Sequence, residues 1–172
     1  MNSAAWLVDV GYVVKASEGL FRLDYVQAER YLARRCGPVR TFLFNGYDET
    51  YGIPSGLRAF YETMRQHGME VRLQPMQSGA PCAEHRGTQA NRQRGVDVDL
   101  AAHLVWQASQ EEVETLIVTT GDQDLVPAIE VVRERMGKRV VLFTYRRNVS
   151  HELVDLADEW WLFEDEETWL AR

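Results

Sequence analysis

The stretch that decides the fold is Thr115–Leu125, with the sequence TLIVTTGDQDL. Its apolar first half predicts a buried strand, and the residues after Gly121 predict the start of a helix. Two carboxylates, Asp122 and Asp124, stand where the strand would give way to the helix. Ligands of open α/β sheets bind beyond the carboxyl ends of the parallel strands, so this acid pair is a candidate metal site.

Outward from this stretch, strand patterns and helix patterns alternate along the chain. We predict strands at residues 5–10, 39–44, 69–73, 116–118, 139–143 and 160–163. We predict helices at residues 24–36, 57–68, from 97 onward, 124–136 and 150–157, with a loop at 45–48. The alternation indicates an α/β fold, a single three-layer α/β/α sandwich with a mostly parallel central sheet, over residues 1–163. Residues 164–172 would form an acidic, solvated C-terminal tail.

The composition is that of a globular protein without a membrane span. Of 172 residues, 45% are hydrophobic and 26% are charged, and a domain of this length buries about two-thirds of its unfolded surface. No apolar run approaches the roughly 20 residues that a membrane-spanning helix needs. Cys36 and Cys82, in a chain without a recognisable export signal, predict reduced thiols and a cytoplasmic location.

The net charge of −7 is unevenly distributed. Residues 152–167 contain eight acids and no Lys or Arg, and these acids account for the whole negative balance. Arginines cluster elsewhere, at positions 86, 92 and 94 and again between residues 133 and 147. The charge pattern therefore permits local binding of a polyanion.

Two further acids are expected at the same edge of the sheet. Asp9 ends the first predicted strand, and Asp97 begins the crossover helix that leads to the strand at 116–118. Four carboxylates brought together repel one another, each pair by roughly 4 kcal/mol at about 4 Å with an effective dielectric constant of about 20. Oxygen ligands suit Mg²⁺ or Mn²⁺, and such a site supports metal-assisted hydrolysis of a phosphodiester.

Each acid also has a simpler explanation. Asp122, Asp124 and Asp97 could each cap a helix, where an N-terminal carboxylate stabilises by about 0.3 to 1 kcal/mol. One cap explains one Asp of the GDQD pair but not both. No helix is expected directly after Asp9, so capping does not account for that residue. Taken as a set, the four acids favour a metal site over coincidence.

Five segments carry a resemblance to a known family. They are LVDVG at residues 7–11, RGVDVDL at 94–100, TGDQDL at 120–125, GKRV at 137–140 and SHELVDLAD at 150–158. Together they resemble the NYN domain, the LabA-like branch of the PIN-like nucleases. The resemblance implies a PIN-like fold and a Mg²⁺- or Mn²⁺-dependent ribonuclease acting on single-stranded or structured RNA. By motif match, the metal-binding and catalytic acids would be Asp9, Asp97, Asp122 and Asp124.

The chain departs from the family pattern at two positions. Tyr12 stands where the family usually has Asn, and His103 stands where it usually has a second acid. Tyr12 would either stack on an RNA base or pack in the core. His103 would ligate a metal, lie on the surface or hydrogen bond to Asp99 one helical turn before it. With Thr120, these three are the candidate accessory residues, and the alternative function is a catalytically weakened NYN module that binds RNA or a protein partner.

The aperiodic segment 74–94 is the candidate substrate contact. A loop of this length inside a compact domain is uncommon and is usually functional or disordered. Its side chains Arg86, Arg92 and Arg94 suit contacts to phosphate and sugar without sequence readout, and the alternative is an ordinary surface loop. Trp160 and Trp161 would either complete the last strand or form a homodimer contact.

Overall fold

A computed structural model describes residues 3–76 and 94–171 of the chain, and of Arg94 the backbone alone. The strands are β1 (Ser3–Asp9), β2 (Val39–Asp48), β3 (Glu70–Met76), β4 (Val113–Thr119), β5 (Arg139–Thr144) and β6 (Glu159–Leu162). The helices are α1 (Val10–Ala16), α2 (Tyr25–Cys36), α3 (Ser55–Gln66), α4 (Arg94–Ala108), α5 (Val126–Glu130), α6 (His151–Leu156) and α7 (Glu167–Leu170). All six strands join one parallel sheet in the order β3-β2-β1-β4-β5-β6.

The sheet lies between two layers of helices, as the alternating pattern predicts. Side chains of β1 alternate between the layers: Trp6 and Val8 pack with α1 and α2, whereas Ala5 and Leu7 pack with α4 and α5. All four are completely buried, because a central strand of a parallel sheet is covered on both faces. The predicted α/β/α sandwich with a parallel sheet is confirmed.

The strand order reverses beside β1. The chain moves outward from β1 to β2 and β3, returns through α4, and places β4 on the other side of β1. The carboxyl ends of β1 and β4 therefore border a topological switch point, where open α/β sheets leave a crevice for ligands. Asp9 is the last residue of β1, and Thr120 to Asp122 directly follow β4.

The structure adds a helix that the sequence pattern does not predict. α1 begins directly after Asp9, whose side chain accepts a hydrogen bond from the backbone N–H of Tyr12. The expectation that Asp9 has no helix to cap is therefore wrong. The helix is built largely from Val and Gly, which are weak helix formers, and burial of Val10 and Val13 stabilises it.

Three other boundaries differ from the predicted ones. β2 continues to Asp48, and β3 continues to Met76, so the predicted loop at 45–48 and the start of the loop at 74 are strand, paired with each other. The predicted helix at 124–136 consists of a 3-10 turn at Gln123–Leu125, then α5, then a π-helical turn at Val131–Arg135.

The acidic segment after residue 163 packs against the domain up to residue 171. Glu164–Glu166 form a 3-10 turn, and α7 follows it. Leu170 is completely buried, and its carbonyl accepts a hydrogen bond of 2.8 Å from the N–H of Asp24 at the start of α2. This burial explains why the segment does not extend into solvent as a tail. Within the described residues, no helix is long and apolar enough to cross a membrane.

Candidate active site

Asp9 is a buried carboxylate at the centre of the switch point, with only 7% of the residue exposed. Its Oδ1 accepts a hydrogen bond from the N–H of Tyr12 at 3.0 Å, and its Oδ2 accepts one from Oγ1 of Thr120 at 3.4 Å. Burial raises the pKa of Asp9, although the backbone N–H groups of Tyr12 and Gly11 lower it. Asp9 thus caps α1 and at the same time presents a poorly solvated carboxylate to the end of β4.

Thr120 links Asp9 to Asp122. Its hydroxyl donates to Asp9 and accepts a hydrogen bond of 3.3 Å from the N–H of Asp122. Oδ1 of Asp122 in turn accepts from the N–H of Asp124 at 2.9 Å, so Asp122 caps the short 3-10 turn. Helix capping therefore explains part of the geometry of Asp9 and Asp122, and the buried Thr120 hydroxyl additionally joins the Asp9 carboxylate to the backbone N–H of Asp122.

Asp97 lies in the first turn of α4 and is half-buried. Burial, followed by the negative charges of the other three acids, raises the pKa of Asp97 to about 6. The four acids Asp9, Asp97, Asp122 and Asp124, called here the four-acid set, thus share one electrostatic field although they come from three separate segments. A carboxylate held near others of its kind binds cations more favourably than one alone.

The donor chemistry of the four-acid set fits a hard divalent cation. All of its possible ligands are carboxylate oxygens, which Mg²⁺ and Mn²⁺ prefer over nitrogen or sulfur. Over residues 3–76 and 94–171, however, no group of three or more His, Cys, Asp or Glu side chains is already close enough together to hold a metal ion. The set therefore supplies the right type of ligand, but its carboxylates are spaced more widely than the ligands of a closed coordination shell.

Asp99 and His103 belong to a different network, between α4 and the edge strand β3. Arg72 donates to both oxygens of Asp99 at 3.0 Å, and Gln74 adds a third bond. Burial raises the pKa of the Asp99 carboxyl, but the bonds from Arg72 and Gln74 outweigh it and lower the pKa overall. Nδ1 of His103 lies 3.5 Å from Oδ1 of Asp99, and its ring packs against Phe44 with the two ring centres 5.5 Å apart.

Tyr12 is a packing residue whose hydroxyl fixes a loop. It is only 7% exposed, and the hydroxyl lies 3.1 Å from the carbonyl oxygen of Tyr145 and 3.2 Å from that of Arg147. Burial raises the pKa of Tyr12, so the hydroxyl stays protonated and donates. Of the two alternatives for this residue, packing fits its burial, because a ring that stacks on a base must be exposed.

The loop held by Tyr12 closes one side of a cleft that Asp9 and Asp122 line, whereas Asp124 lines a neighbouring pocket with Gln123 and Glu152. Asn148 has a φ of 58°, a left-handed conformation that Asn tolerates, and its carbonyl lies against Gly121. A Cβ added at Gly121 would overlap that carbonyl oxygen and lie 2.8 Å from Cε2 of Tyr12. Only glycine fits at this point, so the GDQD turn and the loop at 148–150 are packed backbone against backbone.

The resulting acidic cleft has a volume of about 410 Å³. Its wall includes the predicted residues Asp9, Tyr12 and Asp122, together with Lys15, Gln123, Asn148 and Ser150, which were not among the predicted site residues. Lys15 could have been predicted only by recognising α1, since it stands on the exposed side of that helix. The loop residues give no signal in the sequence, because the Tyr12 bond that places them joins positions 133 residues apart.

Of the three predicted substrate arginines, the structure describes only the backbone of Arg94. Arg86 and Arg92 lie outside the described residues, as do Cys82 and the side chain of Arg94. The backbone of Arg94 begins α4, three residues before Asp97.

The parallel α/β/α sandwich matches the fold of the PIN-like nucleases, the superfamily to which the NYN domain belongs. Within it, the chain belongs to the NYN domain family, whose model matches residues 4–162. This membership indicates a nuclease-type function with RNA as the class of substrate. A solved structure of a protein of unknown function from Vibrio parahaemolyticus is similar in fold, with a TM-score of 0.74 and 24% identity over 98% of this chain and 96% of that one. No curated protein matches the chain.

Proposed function

We propose that the protein is a divalent-cation-dependent endoribonuclease that hydrolyses phosphodiester bonds of single-stranded or structured RNA. The observation that carries the proposal is the link from Asp9 through Thr120 to Asp122 at the switch point of the sheet. Asp97 adds a carboxyl whose pKa is raised, first by burial and then by the nearby negative charges. Membership of the NYN family supports a nuclease, and the oxygen-only ligand set supports Mg²⁺ or Mn²⁺ as the cofactor.

In this proposal the four-acid set holds the cation. Such a cation, when bound, lowers the pKa of a water and stabilises negative charge on the phosphate and on the leaving oxygen. Asp9 and Asp122 are held in place by backbone N–H groups and by the Thr120 hydroxyl, so little side-chain freedom remains to be lost on binding. Asp97 lies on α4, in the helix layer on the other side of the sheet from α1, and completes the set.

The lining of the cleft also contains the positive charge that a phosphate needs. Lys15 lines the cleft with Asp9 and Asp122, and its ammonium offers a counter-charge for a phosphate oxygen. The loop at 148–150, anchored by Tyr12, limits the width of the cleft. Arg86, Arg92 and Arg94 are proposed to contact the phosphates and sugars of the flanking nucleotides.

One observation favours a second candidate, an NYN module with weakened catalysis that binds RNA or a protein partner. Within the described residues, the carboxylates are not gathered into a ready coordination shell. If that openness persists in solution, RNA would bind without being cut, and binding would depend steeply on salt.

The test is cleavage of fluorescently labelled single-stranded RNA with Mn²⁺ or Mg²⁺, comparing the wild-type protein with Asp122→Asn. We expect endonucleolytic products from the wild type, loss of cleavage in the variant and loss on chelation with EDTA. Asp155→Asn, at an exposed position of α6 outside the acidic cleft, is the matched control and should cleave normally. Cleavage that survives Asp122→Asn or EDTA contradicts the proposal, whereas RNA binding without cleavage favours the second candidate.

A further inference from the structure

A second cavity lies beside the acidic cleft and has no role in the chemistry proposed above. Its volume of about 780 Å³ is in the range of small-molecule binding sites. Side chains of α1, of the segment 17–23, of the first turn of α2 and of the N-terminal half of α3 line it, among them Val14, Leu20 and Phe60. Lys15 lines both this cavity and the acidic cleft, so the two are adjacent across a single side chain.

The lining offers an aromatic surface held in place from behind. Phe60 is partly exposed, and its ring packs on Tyr25 and Tyr61 with ring centres 5.5 Å and 5.2 Å apart. Tyr25 and Tyr61 are themselves buried, so the position of Phe60 is set before any ligand arrives. Val14 and Leu20 are 65% and 42% exposed, so they present large apolar surface at this cavity.

The charges at the cavity favour a polyanion. Lys15, Arg22 and Glu18 all line it, which gives two positive charges against one negative charge. The main chain around Glu18 is fixed, because its carbonyl accepts a hydrogen bond from the guanidinium of Arg147. An aromatic floor with a basic rim is the combination that binds single-stranded nucleic acid, where the base stacks and the phosphate pairs with Lys or Arg.

We propose that this cavity holds an unpaired nucleobase of an RNA strand whose next phosphate, beside Lys15, lies in the acidic cleft. The inference rests on the proposed function, because the acidic cleft defines where the reacting phosphate would lie. It adds that the enzyme requires a flipped or unpaired nucleotide beside the cleaved bond. Phe60 provides the stacking surface, and Val14 and Leu20 cover the edges of the base.

The experiment measures RNA binding in EDTA, so that it does not depend on cleavage. The probes are fluorescein-labelled six-nucleotide RNAs, one intact and six that each lack one base, and fluorescence anisotropy gives the affinities. For the wild type, we expect one abasic position to weaken binding by about five-fold or more relative to the others, as the loss of one stacked base predicts. In Phe60→Leu this position should become no more sensitive than its neighbours, since leucine fills similar space without a stacking face.

Trp106 on α4 provides matched controls, because it is 61% exposed and does not line the cavity. Trp106→Leu should retain the sensitive abasic position. Val14→Glu, which places a negative charge in the cavity at an exposed helix position, should weaken binding of the intact RNA more than Trp106→Glu. This second pair keeps the test valid if Phe60→Leu folds poorly, which thermal unfolding will show.

The outcomes separate this inference from the proposed function. A sensitive position that depends on Phe60, together with no cleavage in Mn²⁺, supports the base site and contradicts the ribonuclease proposal. If the protein cleaves RNA but loss of a base weakens binding equally at all six positions, the base site alone is overturned. The same holds if the sensitive abasic position is still sensitive in Phe60→Leu. Absence of any RNA binding by the wild type overturns the base site as well, and would point to a small molecule or a protein as the occupant.

Discussion

Asp97→Asn should make the protein more stable and at the same time abolish cleavage. Asp97 is half-buried in the first turn of α4, and its pKa is raised from the ordinary 3.8 to about 6, first by burial and then by the charges of the other acids in the set. Near pH 7 the carboxyl is still mostly ionised, and its charge is less favourable in the folded state than in the unfolded state. Asparagine has nearly the same shape and removes that charge, so the substitution tests the electrostatics with little change in packing.

The expected gain in the free energy of unfolding is calculated from the pKa shift of Asp97 and then reduced for two reasons. A shift of about two pKa units corresponds to about 3 kcal/mol if the site were fully shielded from solvent. Because Asp97 is only half-buried, we take about half of this, or about 1.5 kcal/mol. Removing the carboxylate also sacrifices its attraction to the positive end of α4, about 0.3 to 1 kcal/mol. The net gain is about 0.5 to 1 kcal/mol, which raises Tm by about 1 to 4 °C in a protein of this size.

The assay is thermal unfolding of wild type and Asp97→Asn between pH 5 and pH 8 without divalent cations. Since the folded pKa of Asp97 lies above its unfolded value, its protonation adds stability that is fully present below about pH 4 and is lost as the pH rises through about 6. The advantage of the variant should therefore be largest at pH 7 to 8 and shrink toward pH 5. Asp155→Asn, at an exposed site, should shift stability by less than about 0.5 kcal/mol at every pH.

Two results would refute this reasoning. If Asp97→Asn lowers Tm at pH 7.5 while Asp155→Asn does not, the carboxylate stabilises the fold and the helix cap is its main role. If the variant still cleaves RNA at the wild-type rate, Asp97 does not belong to the catalytic set. A stability gain together with loss of cleavage is the expected signature of a residue retained for function at a cost in stability.

Three further predictions concern residues around the cleft. Asp9→Asn keeps the helix cap, so Tm in EDTA should change little, but Mg²⁺ or Mn²⁺ should no longer raise Tm and cleavage should fall by at least about 100-fold. Gly121→Ala should destabilise by about 2 kcal/mol or more in denaturant unfolding, because its Cβ overlaps the Asn148 carbonyl. Tyr12→Phe removes the hydroxyl bond to the loop and should cost about 1 kcal/mol in the same measurement, and an unchanged stability would show that the bond contributes nothing.

The parts of the fold that the sequence predicts are those that burial dictates. β1 and β4 are apolar on both faces because each lies in the middle of a parallel sheet, and this pattern can be recognised in the sequence alone. α1 cannot be predicted from the sequence, because its residues have poor helix propensity. Its stability comes from the Asp9 cap and from contacts with distant parts of the chain. The end of β2 was missed for a similar reason: Asn45 and Gly46 look like a turn, but pairing with β3 keeps them extended.

The candidate site likewise contains features that the sequence predicts and features that only tertiary contacts define. That Asp9 and Asp122 share an edge follows from strand ends alone, and the structure adds the Thr120 hydroxyl that joins them. Lys15 and Asn148 were not predicted, because they reach the cleft through a helix and a loop that only tertiary contacts define. Strand ends in the sequence therefore indicate candidate acids more readily than the residues that shape the space around them.

The two departures from the family pattern fall outside the four-acid set for different reasons. The position of Tyr12 has become a structural one, in which the side chain anchors the loop that narrows the cleft. His103 follows Asp97 by six residues, which on an α-helix is a rotation of about 240° and a rise of about 9 Å, so the two side chains leave α4 on different faces. Consistently, His103 meets Phe44 and Asp99 beside β3, whereas Asp97 responds to the charges at the ends of β1 and β4. Replacing an acid by histidine at position 103 therefore changes the support of α4 on the edge strand and leaves the charge of the four-acid set intact.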